Sequence, residues 1–299
     1  MTGRAGPRGQ AARAPRGRPD AGVGLVLARS GRQPDAGPFW PPFLAGLAAF
    51  LEPHDVTLRM GLAEGPEQEL DVQRGWWRRR QIAGAVVVDV RTRDERLPVL
   101  GELGMPVIVA GPPGLAGGLP AEWTDDEAAM DSVVRHFAAL GHRRIARVAW
   151  DPGLGHTALR TAAFSRIAAE LGLHHTTVTT YPGDPDPGRC TRRLLLAPRR
   201  PTAVVYDSTS AAAAALGVAR ELDIDVPSGL SVIAWDDSPL CAATRPALSV
   251  VRHDVHAYGA RTASALLRLI DGLSPAAGSG AVPVLRLRGS TGIPRVRTR

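Results

Sequence analysis

Short apolar runs of about five residues alternate along nearly the whole chain with segments of helical spacing, and this alternation limits the fold more than any other feature. GVGLVLA (Gly22–Ala28) reads as a buried strand, and a helix follows from Phe43 to about Glu52. AGAVVVDV (Ala83–Val90) is the next strand, Arg93–Leu103 a helix, and PVIVAG (Pro106–Gly111) another strand. Asp125–Leu140 has helical spacing at Ala129, Val133, Val134, Phe137 and Leu140, and RIARVAW (Arg144–Trp150) is again a strand. The second half repeats the theme. Leu159–Leu171, Gly188–Leu196, Ser210–Leu222 and His256–Ile270 are predicted helices, and TTVTTY, Thr202–Asp207 and Leu230–Asp237 are predicted strands. A final alternating run, Val282–Gly289, predicts an edge or crossover strand. Runs that are apolar throughout belong to parallel strands covered on both faces. The expected class is therefore α/β, with two Rossmann-like lobes built on parallel sheets. Ligands of such folds lie at the C-terminal ends of the strands, here in a cleft between the lobes.

Composition narrows the function classes. The chain has 299 residues, 44% of them hydrophobic, enough for one large domain or two ordinary ones. Its formal charge is +7 and contains no lysine, so all of the positive charge is arginine. Residues 1–20 hold five Arg and one Asp, which leaves the remainder close to neutral. Residues 1–21 lack apolar periodicity and are expected to form a disordered, Arg-rich tail. Cys190 and Cys241 cannot make a disulfide framework and have no metal-ligand spacing. No apolar run approaches a membrane span or the core of a signal peptide, so a cytoplasmic protein without membrane partners is expected.

Candidate chemistry is sparse. Gly22-Val23-Gly24 lacks the third glycine of a dinucleotide loop, a phosphate loop needs the lysine this chain lacks, and no GxSxG elbow occurs. Neither a cofactor, a metal nor an enzymatic activity is expected. His253 and His256 have no third ligand nearby in sequence, and Asp254 between them reads as a helix N-cap. Trp76-Trp77-Arg78-Arg79-Arg80 resembles a nucleic-acid stacking patch, and a helix end whose arginines suit the C-terminal dipole explains it as well. Three polar positions fall where strands end. Asp126 of the Asp125-Asp126 pair reads as a helix cap. Arg160 appears at a helix start, where a cation is unfavourable unless a ligand or an acid holds it. Asp236-Asp237 ends an apolar strand, where a carboxylate can accept hydrogen bonds from hydroxyls.

In order along the chain, LGHRRIARV (Leu140–Val148), RTAAF (Arg160–Phe164), PTAVVYD (Pro201–Asp207), VPSGLSVIAWDDSPL (Val226–Leu240), RPALSVV (Arg245–Val251) and LRLRGST (Leu285–Thr291) follow Asp125-Asp126. These blocks resemble the signatures of the LacI/GalR transcription regulators across about residues 22–293. The resemblance implies a type I periplasmic-binding-protein-like core, with one lobe at about 22–151 plus 253–275 and the other at about 152–252 plus 280–295. It implies a homodimer that binds a small polar effector, a sugar or nucleoside-like molecule, and thereby modulates DNA binding. It places Arg160 and Asp236 where the family grips its effector, His253 at a polar cleft position, and Asp125 at a strand end facing the cleft. Ser208-Thr209 stands where the family usually has Asn-Asp, so Ser208 brings a shorter hydroxyl to the same place. The family's helix-turn-helix needs about 60 residues ahead of the first strand, and only 21 precede it here. DNA is thus an expected partner only if such a module lies upstream of Met1; the alternative is a stand-alone small-molecule binder without operator recognition.

Overall fold

The computed structural model describes residues 22–28, 38–181, 186–275 and 280–295; the expected tail at 1–21 lies outside them. Among the described residues two sheets form. The first takes β1 (Gly22–Ala28), β2 (Leu58–Ala63), β3 (Ile82–Val87), β4 (Val107–Ala110) and β5 (Ala121–Glu122), in the order β2-β1-β3-β4-β5, all parallel. The second takes β6 (Arg144–Ala149), β7 (His174–Thr179), β8 (Ala203–Tyr206), β9 (Ser231–Trp235), β10 (Ser249–Arg252) and β11 (Val284–Arg286). Its order is β11-β10-β9-β8-β6-β7, parallel except for β11, which runs antiparallel at the edge. Without β11, both sheets share one winding, with the second strand outermost and the reversal of order beside the first.

Alternation along single strands shows why both faces need covering. In the first sheet Val86 and Val88 join the core beneath α1 (Trp40–Leu51) and α9 (Val255–Ile270), while Ala85 and Val87 join the opposite core. In the second, Val232 and Ala234 pack with α7 (Thr209–Glu221), and Ile233 and Trp235 with α4 (Asp126–Ala139) and α5 (Gly155–Glu170). Apolar residues on both faces produce the continuous hydrophobic runs seen in the sequence. Contact of α1 with α9 depends on two glycines. A Cβ at Gly46 would meet the His256 carbonyl oxygen at 2.0 Å, and one at Gly259 would meet that of Phe43 at 2.2 Å.

The division between lobes needs correction. The resemblance puts residues 126–151 in the first lobe, but β6 hydrogen-bonds between β7 and β8 in the second sheet, and α4 packs on α5. Every buried parallel strand carries the same apolar signature, so sequence alone cannot say which sheet it joins. The chain crosses between lobes at 122–126, at 252–255 and at 270–284. At the first and third crossings the strands touch, with the Asp125 N–H donating to the Ala281 carbonyl at 3.0 Å.

Asp254 caps α9 by accepting from the Ala257 N–H at 2.9 Å, as its sequence position suggests. The tryptophan–arginine run ends α2 (Pro66–Arg78), with Arg79 at the C-cap. No helix among the described residues is long and apolar enough to cross a membrane.

Candidate functional site

Between the lobes lies an open cleft of about 2160 Å³, walled by the C-terminal ends of strands from both sheets. It exceeds the roughly 300–1,000 Å³ of ordinary small-molecule pockets. Arg160, Asp236, Ser208, His253 and Asp125 all line it.

Arg160 does not begin its helix. Gly155 opens α5, so Arg160 stands in the second turn, buried, with its Nε donating to Asp126 Oδ2 at 2.7 Å. Its guanidinium carbon lies 4.1 Å from the centroid of the Trp235 ring, a cation–π contact. Its planar charge is thus sandwiched between a carboxylate and an indole, as Arg favours more than Lys.

The two neighbouring aspartates exchange their expected parts. Asp125 caps α4, accepting from the Ala128 N–H at 2.9 Å, whereas Asp126 turns to Arg160 and also accepts from Thr124 Oγ1 at 2.9 Å. The cap preference of aspartate fits both positions, and only the backbone geometry decides between them.

Asp236 follows β9 with φ +72°, a left-handed conformation that costs most residues energy but suits Asp and Asn. Its carboxylate forms an ion pair with His253 Nε2. Burial alone would raise the Asp236 carboxyl, but the charges of His253 and Arg160 outweigh it and hold the group below the usual carboxylate range. Burial conversely opposes charge on His253, yet Asp236 prevails and raises the imidazole above its ordinary value. The Nδ1 atom of His253 is buried without a hydrogen-bond partner. Ser208 caps α7, accepting from the Ala211 N–H at 3.3 Å, and shares a hydrogen bond with Ser210 Oγ at 2.8 Å.

Several cleft groups are missed by the sequence reading. Arg147, fully buried on β6, donates to Asp207 Oδ2 at 2.6 Å and to Thr161 Oγ1, and Asp207 also accepts from the Trp150 N–H at 3.0 Å. An arginine inside an apolar strand is the signal that could have found this pair. In the first lobe, Arg96 is held by Glu69 at 2.5 Å and by Asp94 at 2.6 Å. It also donates to the Val88 and Asp89 carbonyls at 3.0 and 3.3 Å. Burial pushes Glu69 up to about 7 against the pull of Arg96. Burial and then the charge of Arg160 push the His156 imidazole below its ordinary value, against the opposing charges of Asp89, Asp126 and Asp207.

The lobes also touch directly. The Gly155 N–H donates to the Val90 carbonyl at 2.7 Å, and Arg91 bridges to Leu154. The first N–H of α5, unsatisfied within its own helix, thus finds its acceptor in the other lobe. Among the described residues no group of three His, Cys, Asp or Glu side chains could hold a metal ion.

Residues 134–291 match the family described as periplasmic binding protein-like domain. The chain is 33% identical over 250 residues to the HTH-type transcriptional regulator MalR of Streptomyces coelicolor, covering 77% of this chain and 69% of that one. It is 34% identical over 252 residues to the HTH-type transcriptional regulator reg1 of Streptomyces lividans, with the same coverage. Among solved structures, a LacI family transcriptional regulator from Bifidobacterium animalis subsp. lactis superposes with a TM-score of 0.85 at 29% identity. That likeness covers 93% of this chain and all of the other.

Proposed function

The chain belongs to the LacI/GalR family of transcription regulators, and from that membership we propose that it is the effector-sensing and dimerisation core of such a regulator. It binds a small polar, sugar-like molecule in the interlobe cleft and so modulates DNA binding. Its relatives are transcriptional regulators rather than enzymes.

One observation carries this reading: two ion pairs of the cleft, Arg160 with Asp126 and His253 with Asp236, are anchored on segments that join the lobes. Asp126, the partner of Arg160, sits at the end of the first crossing, and His253, the partner of Asp236, sits on the second. A ligand that accepts from His253 Nδ1 or donates hydroxyls to Asp236 therefore acts on the joint itself. Its binding energy favours whichever lobe arrangement presents these groups best, which is all a population shift requires. Exposed Met60 and Leu62 on the edge strand β2 support assembly of two copies through the first lobe.

Calorimetry against a panel of neutral sugars and nucleosides tests the site. With the sugar that binds, Asp236→Asn is expected to weaken affinity by about tenfold or more, since a charged acceptor is replaced by a half-donor. An Asp236→Asn protein that binds as tightly as the parent overturns the assignment.

A further inference from the structure

Arginines on the surface of the second lobe mostly have a carboxylate: Arg135, Arg166, Arg192 and Arg295 each form an ion pair. Arg143, Arg144 and Arg199 are exposed too, and among the described residues they form none. These three lie together, at the end of the sheet that points away from the cleft. β6 starts at Arg144 and runs between β7, which starts at His174, and β8, which starts at Ala203. The Arg143 carbonyl accepts from the His174 N–H at 3.0 Å, and the Arg144 carbonyl from the Thr202 N–H at 2.9 Å. Arg144 Nε donates to the Arg200 carbonyl at 3.2 Å, and Arg200 in turn donates to the Gly229 carbonyl at 2.9 Å. Arg143-Arg144 and Arg199-Arg200 are thus tied together at the starts of neighbouring strands, which run about 4.8 Å apart. The Arg143 and Arg199 guanidiniums make no hydrogen bond among the described residues and face water.

Acids at this end are already engaged. Asp225 holds Arg295 at 2.9 Å, and Glu170 and Glu221, which end α5 and α7, hold Arg166 and Arg192. Asp223 borders Arg220 and Arg245. Residues 296–299, which follow Arg295 in the chain, contain two arginines and no acidic side chain. Residues 182–185, with one aspartate, lie in sequence between Tyr181 and Pro187, both on the cleft. Guanidiniums rooted at fixed spacing match the paired oxygens of successive phosphates, which a single small anion would not fill.

We propose that this end of the second lobe binds the phosphate backbone of duplex DNA without reading its bases. The chemistry of the patch calls for a polyphosphate, and a family of transcription regulators meets one as DNA. The inference goes beyond the effector reading and does not depend on it. Both sheets turn the C-terminal ends of their strands to the cleft, so Gly22, at the start of β1, lies at the opposite end of the molecule from Arg144. Any DNA-reading module that joins the core ahead of Gly22 therefore faces away from the patch, and one molecule can hold two segments of DNA at once.

The test is fluorescence anisotropy of the full chain with a mixed-sequence duplex of about 30 base pairs, between about 25 and 200 mM salt. Each phosphate contact adds about 0.9 to the slope of log affinity against log salt. Arg143→Ser, Arg144→Ser and Arg199→Ser together are expected to lower its magnitude by about 2–3 and to weaken binding at about 50 mM salt by about tenfold or more. Lysine at the same three positions keeps the charge and is expected to keep the slope. A matched triple, Arg93→Ser, Arg135→Ser and Arg268→Ser, removes equal charge from exposed positions elsewhere and is expected to change the slope by less than about one. The arginines of residues 1–20 contribute alike in every variant, so the differences isolate the patch. A parent chain that does not bind the duplex, a serine triple with the parental slope, or a matched triple that loses as much overturns the proposal. So does poly-glutamate of equal charge that competes as well as the duplex, which assigns the patch to an acidic protein instead. None of these results touches the effector-binding reading, which calorimetry with sugars decides separately.

Discussion

Replacing Asp126 by Ala isolates the ion pair at the first crossing. The Arg160 and Asp126 side chains are 10% and 12% exposed, so the pair is close to the buried limit. Removing one partner of a buried pair costs about 3–5 kcal/mol, mostly because the other charge is stranded. Here the stranded guanidinium keeps its Trp235 face, a contact worth roughly 0.5–2 kcal/mol, and still feels Asp207 and Asp236. The expected loss therefore falls at or just below the lower limit of that range, about 2–3 kcal/mol. For a domain of this size each kcal/mol moves the melting temperature by roughly 2–4 °C, which gives a fall of about 4–12 °C by calorimetry or circular dichroism. Arg160→Met removes the charge instead, and the double variant should be less destabilised than the two single effects added together. A single variant that melts with the parent, or a double variant whose loss is strictly additive, refutes the reasoning.

Other perturbations separate the remaining features. His142 is buried and hydrogen-bonded to Thr202, Ser231 and the Gly292 carbonyl, and burial pushes it down to about 4. Because the folded value lies below the unfolded one, its contribution is complete above about pH 6.5 and is lost as pH falls toward 4, by roughly 3 kcal/mol. Urea titrations of the parent and His142→Asn across that range should show a shallower acid loss in the variant. His253 has the opposite sign: its raised value adds stability below about pH 6.5 that fades as pH rises through the folded value, so His253→Gln should flatten the alkaline side of the stability profile. Ser208→Ala removes the α7 cap and is expected to cost about 1 kcal/mol in urea unfolding. A Cβ at Gly155 would lie 2.4 Å from Leu115 Cδ1 and 2.9 Å from the Val90 carbonyl oxygen. Gly155→Ala should therefore push the lobes apart, visible as a larger radius of gyration in solution scattering, with weaker effector binding.

The alternation of apolar runs and helical segments is enough to predict two doubly covered sheets, because burial on both faces leaves a mark on every strand. Which sheet β6 joins leaves no such mark, since Ile145, Val148 and their neighbours look the same in either place. The blocks that resemble the family are legible, yet much of what they encode is scaffold. His142 of LGHRRI pins the segment around Gly292, Arg288 of LRLRGST binds both oxygens of Asp237, and Ser290 donates to the Val232 carbonyl at 2.6 Å. Arg160 and Asp236 are legible as strand-end polar groups, but their partners are not. Asp126 hides behind a plausible capping part, and Trp235 reads only as the end of an apolar strand.

The three crossings also dictate the order in which the molecule can be assembled. The helix α9 that covers α1 comes from residues 255–270, after the whole strand-bearing part of the second lobe except β11. As the ribosome releases the chain, the first sheet emerges with the Phe43–Leu47 face of α1 still uncovered, and it stays so until residues 255–270 appear. During that interval the exposed apolar face is available to chaperones or to another nascent copy. A chain truncated before residue 255 is left in that state permanently, so the C-terminal segment governs the solubility of the N-terminal lobe.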